Sequence, residues 1–326
     1  MDMDYIAFLT STRSKFALYV SIPICIICIL SELLSVSIFL SLKTFRQNSC
    51  SFYLMFMALF NLIRMIFSTS FIAVSMAFSM NFTSISFLYC QIRTFLVSTC
   101  NLSAVTCLCL SVIDQYFATC TRPQWHRYSN IRIAHRVIIT ITLIWCCHAI
   151  LFLINFNQLS PINPSICISS NFIFLQYNVY LYFITYGNLF PLIAVIFGLL
   201  AYRNARTLLV RTNPIIRQEL DKQLTTMVLV EICVYVCTYT PFSIVNSISS
   251  LNTNKEPVFL AKLSLANAIA LTLSFLSNGN SFYTYVCVSK RFRRQAKYVL
   301  YDLFINKCGR ENQIIPVNTE NPAATE

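Results

Sequence analysis

Seven long apolar segments constrain the fold of this chain more than any other feature of its sequence. They cover approximately residues 17–42, 51–77, 88–118, 134–156, 178–202, 222–249 and 259–287. Each reaches the roughly 20 residues that a helix needs to cross the hydrocarbon core of a bilayer. Charged residues make up 11% of the chain, against about 25% in soluble globular proteins, which is too few to cover a water-exposed surface. The sequence therefore predicts an integral membrane protein.

Helices are the expected form of these segments, because a backbone in lipid must satisfy its own hydrogen bonds. A membrane β-barrel would show shorter segments of alternating polarity, about ten residues each. The basic and amphipathic segment 288–304 is expected to lie along the membrane interface as a short helix. The sequence thus predicts an all-α integral membrane protein, in which a seven-transmembrane helix bundle (17–287) is followed by a short amphipathic interfacial helix 8.

The distribution of Lys and Arg predicts the orientation of the bundle. The loops after the first, third and fifth segments and the C-terminal tail carry most of the 24 basic residues. Because basic loops stay in the cytoplasm, we expect an extracellular N-terminus (1–16) and a disordered cytoplasmic tail (305–326) on a multi-pass plasma-membrane protein. Anionic inner-leaflet lipid accounts for the net charge of +12, so membrane lipid, and no nucleic acid, is the expected partner of these charges.

Composition argues against several kinds of chemistry. The chain has 15 Cys and three His, and most of the Cys lie inside apolar segments, where a free thiol behaves as a small apolar side chain. A zinc site would need clustered ligands at loop spacings. With four Gly in all, the chain has no glycine-rich phosphate loop, and no nucleophile–base pair stands out. We therefore predict that the protein is not an enzyme and binds no cofactor or metal.

Landmark residues stand at characteristic places within the apolar segments. The third segment begins near Cys90 and ends in the triplet Asp114-Gln115-Tyr116. The other landmarks are Trp145 in the fourth segment, Pro191 in the fifth, and Tyr235, Thr238, Tyr239 and Pro241 in the sixth. With the predicted orientation, this set resembles the rhodopsin-like (class A) G-protein-coupled receptors over about residues 16–304. Those receptors carry Asp-Arg-Tyr in the third span and Phe-x-x-Cys-Trp-x-Pro in the sixth.

The resemblance implies a heterotrimeric G protein as partner and a set of residues that opens or closes the cytoplasmic face. In the family, the Arg of the triplet pairs with an acid at the inner end of the sixth span. Here Gln115 would form a hydrogen bond with Asp221, a weaker latch that would raise basal activity. In the alternative, both side chains are solvated at the helix ends. The implied activation switch comprises Asp114, Gln115, Tyr116, Asp221, Tyr235, Tyr239, Pro241 and Tyr285.

Two family motifs are altered in a way that puts sodium binding in doubt. Asn61 stands where the second span usually has an Asp, and Ser281 begins the segment that usually reads Asn-Pro-x-x-Tyr. Ionisable residues inside a membrane are costly unless paired or hydrated, so we expect Glu32 and Arg64 to join Asn61 and Ser281 in a polar core. Glu231 would join this core or face a water-filled cavity. Such substitutions are similar to those of divergent invertebrate peptide-type receptors of the FMRFamide-like subgroup.

Absent family residues narrow the choice of ligand. Val97 occupies the place of the Asp that binds amines, and Phe275 that of the Lys that binds retinal, so neither ligand is expected. Aromatic and amide residues near the outer ends of the spans, among them Tyr182, suit a peptide or another amphipathic organic ligand. Arg93 would either contact an acidic group of the ligand or extend to the lipid headgroups. The candidate ligand-binding residues are Arg93, Val97, Tyr180, Tyr239 and Asn246.

Three covalent features are also expected. The resemblance implies a disulfide between Cys90 and Cys167, which would tie the loop after the fourth span to the third span. Asn81 starts a glycosylation sequon, Asn-Phe-Thr, on the predicted outer side, where closeness to the membrane would limit modification. Cys308 follows the interfacial helix and would be either palmitoylated or a free thiol.

The function that these observations favour is that of a G-protein-coupled receptor. It would transmit the binding of an extracellular ligand, expected to be a peptide, to a cytoplasmic G protein. A chemosensory receptor for a small organic ligand is one alternative. A seven-span channel or transporter is the other, and would show ion or solute flux in place of ligand-dependent nucleotide exchange.

Overall fold

The computed structural model of the chain describes nine stretches of residues. They are 2–41, 43–78, 87–120, 122–156, 158–159, 167–169, 171–208, 215–251 and 256–301. Within these ranges, seven helices are long and apolar enough to cross a membrane. The predicted all-α, seven-span fold is confirmed.

Seven long helices build the bundle. They are α1 (Asp2–Ser41), α2 (Ser49–Phe78), α3 (Phe87–Thr119), α4 (Ile131–Asn155), α5 (172–208), α6 (Ile215–Leu251) and α7 (Pro257–Gly279). Two shorter helices follow, α8 (Ser281–Val288) and α9 (Lys290–Tyr301). Helix α1 begins well before residue 17, where the apolar segment predicts the first span to start, because the polar N-terminal residues continue the same helix. Helix α7 ends before residue 287, because the chain leaves the helix at Asn280 and re-enters it at Ser281.

Short elements connect some of the long helices. Single-turn helices lie at Lys43–Arg46 and at Pro123–His126. Between α4 and α5, strand β1 (Gln158–Leu159) pairs antiparallel with strand β2 (Cys167–Ile168). The long helices supply most of the core among the described residues, and Phe45, Tyr285 and Phe292 of the short helices pack against it.

Asparagine side chains set the first residues of three long helices. Asn48 accepts a hydrogen bond from the backbone N–H of Ser51 at 3.0 Å, ahead of α2. Asn130 accepts one from the N–H of Arg132 at 3.0 Å, ahead of α4. Asn171 caps α5 in the same way. Such a cap satisfies one of the N–H groups that have no partner within the helix, and contributes about 1 kcal/mol.

Wide π-helical turns interrupt three of the spans. They lie at Ala17–Ser21 in α1, at Met65–Thr69 in α2 and at Tyr182–Leu189 in α5. A π turn holds more residues than an α turn, so it rotates all later side chains around the helix axis. The turn in α2 follows directly after Arg64, and the turn in α5 begins at Tyr182.

Helix α3 is the centre of the bundle. It packs against α2, α4, α5 and α6, and it is the most buried span, while α7 lies between α6 and α1. At Gly279, the last residue of α7, a Cβ atom would overlap Cys28 of α1, so glycine permits the close approach of these helices. Helix α4, by contrast, exposes large apolar side chains such as Ile139 and Leu143 (61% and 59% exposed). Such a face is expected to contact lipid.

Candidate functional site

A cavity opens between α2, α3, α4, α5, α6 and α7 at the upper end of the bundle, which we define as the end where α3 begins. Its volume is about 580 Å³, inside the range of roughly 300–1,000 Å³ that is usual for small-ligand sites. Aromatic residues make up much of the wall, among them Phe71, Tyr89, Phe152, Tyr182, Tyr239 and Phe275. The cavity is therefore large and apolar enough to enclose an organic ligand.

Arg64 lies in the cavity wall on α2 and is 9% exposed. Its Nη1 donates a hydrogen bond to Oδ1 of Asn101 on α3. The side chains of Tyr182 and Tyr239 also lie against Asn101. Asn101 therefore joins the guanidinium of α2 to aromatic residues of α5 and α6. The partners of the guanidinium in this group are all neutral.

Arg93 brings a second guanidinium to the cavity. It precedes Asn101 by eight residues of α3, which places it about 12 Å nearer the upper end at 1.5 Å per residue. Its Nε is buried and has no hydrogen-bond partner among the described residues. The cavity thus carries positively charged groups at two depths.

The other predicted ligand contacts divide into two groups. Val97, Tyr239 and Asn246 line the cavity. Tyr180 does not: it is 52% exposed, and Tyr182 stands in the wall instead. The prediction for Tyr180 is corrected on this geometry, because residues two apart on a helix point in different directions and the π turn starts at Tyr182.

Sequence reasoning missed one residue that organises the cavity. Asn101 holds no family landmark position, and it was not singled out as a site residue. The signal for Asn101 was present, since it is an amide in the middle of the apolar third segment. Buried polar groups in a membrane need partners, so such an amide predicts a polar neighbour on another helix.

An aromatic cluster extends from the cavity towards the lower end. The ring of Tyr239 stacks on that of Tyr235, with centroids 5.2 Å apart, and lies 5.8 Å from the ring of Tyr186 on α5. The hydroxyl of Tyr235 donates to the backbone carbonyl of Tyr186 at 3.2 Å. Pro241 lies within α6 next to this cluster in sequence, and removes one backbone hydrogen bond of that helix. The cluster thus links the cavity to the interruption in α6.

A second group of ionisable residues lies outside the cavity. Glu32 on α1 and Glu231 on α6 are 0% and 2% exposed, and both lie beside Ser281 at the start of α8. The amide nitrogen of Asn280, turned towards Glu231, donates to its Oε1 at 3.0 Å. Three carboxyl oxygens have no hydrogen-bond partner within 3.5 Å among the described residues. They are both oxygens of Glu32 and Oε2 of Glu231. Glu231 therefore joins Glu32 in an enclosed carboxyl pair.

The predicted polar core requires one correction. Glu32 and Ser281 do lie together. Asn61 is also buried, at 3% exposed. Arg64, however, binds Asn101 and lines the cavity. The physical reason is that the long side chain of Arg64 lets its guanidinium reach the amide of Asn101 on α3. It binds this amide and not the carboxylate of Glu32 on α1.

The lower end of α6 is tied to two other elements by hydrogen bonds without charge. The hydroxyl of Thr225 donates to Oε1 of Gln115 on α3 at 3.0 Å. The hydroxyl of Ser289, just before α9, donates to Oε1 of Gln223 at 2.9 Å. Gln115 therefore meets α6 at Thr225, one turn after the predicted partner Asp221, whose side chain lies outside the described residues.

The remaining switch residues pack into the lower half of the bundle. Asp114 accepts hydrogen bonds from the hydroxyl of Ser49 on α2, at 2.8 Å to each carboxylate oxygen. The ring of Tyr116 lies 5.5 Å from that of Phe197 on α5. Tyr285 is fully buried, with its ring 5.6 Å from Phe39 and 5.4 Å from Phe292.

Some predicted features fall beyond what the structure describes. Cys90 is disulfide-bonded, but the side chain of Cys167 lies outside the described residues, and the pairing of the two stays a prediction. Asn81 and Cys308 also lie outside the described residues, so their modification stays a prediction.

Comparison with known families identifies the bundle. The family model for the 7 transmembrane receptor (rhodopsin family) matches residues 31–278, which is more than half of the chain. A search of curated proteins found no match. The matched range covers α3 to α6 with the cavity and the Gln115–Thr225 contact. The chain therefore belongs to the rhodopsin family of seven-transmembrane receptors, which are multi-pass membrane receptors and not enzymes.

Proposed function

We propose that this receptor lies in the plasma membrane with its N-terminus outside, binds an extracellular ligand in the cavity and acts on a heterotrimeric G protein at the lower end. One observation carries the proposal. Helix α6 contributes Tyr239 to the cavity wall and Thr225 to the contact with α3. A single rigid element therefore reaches from the ligand site to the face that would meet the G protein.

The upper part of α6 supplies the means of transmission. A ligand that displaces Tyr239 also displaces Tyr235, because their rings are stacked. Pro241 leaves the helix with a missing hydrogen bond near this cluster, and such sites are where helices bend. Movement of the aromatic cluster would thus become a swing of the lower end of α6.

Among the described residues, two neutral hydrogen bonds hold the lower end of α6. They run from Thr225 to Gln115 and from Ser289 to Gln223. Each contributes about 0.5–1.5 kcal/mol, so a differential ligand affinity of a few kcal/mol is enough to break both. We expect measurable basal activity for the same reason.

A peptide is the ligand class that we favour, as for the divergent invertebrate peptide-type receptors that the sequence resembles. Tyr239, Asn178 and Asn246 offer the cavity aromatic surface and side-chain amides. The volume of about 580 Å³ would enclose the end of a peptide or a whole small organic ligand, so a chemosensory receptor stays the second candidate. Membership of a receptor family favours both over a channel or transporter.

The test is ligand-dependent nucleotide exchange. The full-length receptor is reconstituted in lipid nanodiscs with purified G protein heterotrimers of each class, and GTP uptake is measured while a peptide and metabolite library is screened. We expect ligands that raise exchange on at least one class, with the effect reduced in Tyr239→Ala and kept in Tyr180→Ala. Absence of exchange on every class, together with solute flux in liposomes, would establish the transporter alternative.

The orientation has its own test. An epitope tag placed between residues 209 and 214 is expected to react with antibody only after the cells are permeabilised. A tag placed before Asp2 is expected to react on intact cells. Reaction of the first tag on intact cells would place the G-protein-binding face on the wrong side and overturn the proposed function.

A further inference from the structure

The charges of the cavity are all of one sign. Arg64 and Arg93 line it, and none of the described lining residues is Asp or Glu. The connecting segments at this end whose structure is not described, 79–86, 160–166 and 252–255, contain no Asp or Glu either. No described lining residue and none of these segments therefore offers a carboxylate to either guanidinium.

Neither guanidinium has a described carboxylate as its hydrogen-bond partner. Arg64 donates to the amide oxygen of Asn101. The Nε of Arg93 is buried without a hydrogen-bond partner among the described residues, and its electrostatic neighbour is Tyr89. A cation inside a membrane bundle costs several kcal/mol when it is neither paired nor hydrated. Both sites are therefore open to an anion that arrives with a ligand.

The arrangement also selects the chemistry of that anion. A guanidinium presents parallel N–H donors that match the two oxygens of a carboxylate. Arg93 lines the cavity nearer the upper end and its Nε has no described hydrogen-bond partner, whereas Arg64 is engaged by Asn101. The wall also carries apolar side chains such as Val97, Leu271 and Phe275. The site fits a carboxylate joined to an apolar or aromatic body.

We propose that the cavity binds a carboxylate-bearing ligand, with the carboxylate on Arg93, the apolar body against α7, and Arg64 supplying positive potential that rejects cationic groups. The inference rests on the proposed function, because it names the chemistry of the ligand in the same cavity. The carboxylate has two possible sources, the C-terminus or an acidic side chain of a peptide, and a small organic acid.

The test uses matched pairs of probes and a binding readout that needs no G protein. One arm measures the shift in melting temperature of the purified receptor in nanodiscs with phenylacetate and hydrocinnamate, each against its primary amide. The other arm uses N-acetylated tripeptides and tetrapeptides of Leu and Phe, with a free C-terminal carboxylate against a C-terminal amide. Titration of each shift gives an apparent affinity for every probe.

We expect the carboxylate member of a pair to bind more tightly than its amide. In Arg93→Gln the affinity for the acids should fall by roughly tenfold or more, as for loss of a charge-assisted hydrogen bond, while the affinity for the amides stays nearly constant. Arg93→Lys keeps the charge and should retain part of the preference. Arg13→Gln is the matched control: Arg13 is basic, lies at the same end and donates to Ser264 at 2.8 Å without lining the cavity.

The outcomes separate the inference from the function on which it rests. Equal or tighter binding of the amides, a preference that persists in Arg93→Gln, or no shift with any acid would overturn the carboxylate site. Acid-selective shifts without nucleotide exchange on any G protein would sink the proposed function and leave the site standing. Preference in the peptide arm alone identifies a peptide terminus as the source, and preference in the other arm identifies an organic acid.

Discussion

The upper and middle parts of this bundle hold basic and acidic groups in different ways. The cavity carries Arg64 and Arg93 and no described acid, whereas the carboxyl pair of Glu32 and Glu231 has no described cation beside it. The arginines border a cavity of about 580 Å³. The carboxyl groups are 0% and 2% exposed. Basic groups that border a cavity can be neutralised by a ligand, while enclosed carboxyl groups act on the packing of the helices that carry them.

The difference assigns separate tasks to the two regions. The arginines lie on α2 and α3, which are the two most buried spans of the bundle. The carboxyl pair joins α1 to α6, the helix whose lower end is held by Gln115. Ligand recognition would thus depend on the upper region, and the balance between closed and open forms on the middle one.

The largest effect is expected from breaking the enclosure of the carboxyl pair. Helices α1 and α7 approach closely at Gly279, two residues before Ser281. A Cβ atom at Gly279 would overlap Cys28. Gly279→Ala should therefore destabilise the receptor by about 2–3 kcal/mol, as overpacking does, and lower its melting temperature. In the control Gly198→Ala the new Cβ meets the flexible end of Leu229 at 3.0 Å, so a smaller loss is expected. If Gly279→Ala and Gly198→Ala lower the melting temperature equally, the close approach of α1 and α7 at Gly279 does not need a glycine.

The next effect sharpens the contrast in sign. Glu231→Gln keeps the shape of the side chain and removes one group that can carry negative charge beside Glu32, so we expect stabilisation by about 1–2 kcal/mol. The measurement is the melting temperature in nanodiscs. Asp2→Asn, at an exposed acid in the first turn of α1, should leave it unchanged. A lower melting temperature for Glu231→Gln would show that the carboxylate has a stabilising partner.

A smaller effect tests the link between the lower region and signalling. Thr225→Val removes the hydroxyl that donates to Gln115 and leaves the shape nearly unchanged. Loss of about 0.5–1.5 kcal/mol from the closed form should raise basal nucleotide exchange roughly twofold to tenfold. Thr226→Val is the matched control, since Thr226 is exposed and its hydroxyl donates only to the carbonyl of Lys222 in its own helix. If both variants show wild-type basal exchange, the Gln115 contact does not hold the face closed.

The smallest effect concerns the edge of the upper region. Tyr180 is exposed outside the cavity, while Tyr182 lies in its wall. Tyr180→Ala should change the affinity of the carboxylate probes by less than about 0.5 kcal/mol, as for other exposed positions. Tyr182→Ala should weaken them clearly. A reversed order would mean that α5 is rotated relative to this structure.

The fold could be predicted because its determinants are local. The length of each apolar segment, the clustering of basic residues in alternate loops and an Asn ahead of an apolar run act within a few residues. Asn130 is such a local determinant in the structure, because it caps α4 through the N–H of Arg132, two residues further along the chain. The order of the landmarks around Gln115 and Pro241 was also local information, since spacing along one helix gives the face that residues share.

The site could be predicted only in part, because the partners of its polar residues belong to different helices. Gln115 was recognised, but its contact at Thr225 depends on how α6 is rotated against α3. Arg64 was recognised as intramembrane, but its pairing with Asn101 in place of Glu32 depends on the approach of α2 to α3. The π turns at Met65–Thr69 and Tyr182–Leu189 change the phase of both helices, and no residue type marks them.

The sequence by itself determined that the chain forms seven apolar helices, roughly where each of them lies, and which ionisable residues fall inside the apolar segments. These properties follow from hydrophobicity and charge summed over short windows. The tertiary structure alone decided that the two arginines share a cavity and the two carboxyl groups share an enclosure. That choice depends on helix rotation and close packing, which are set by contacts between residues far apart in the chain.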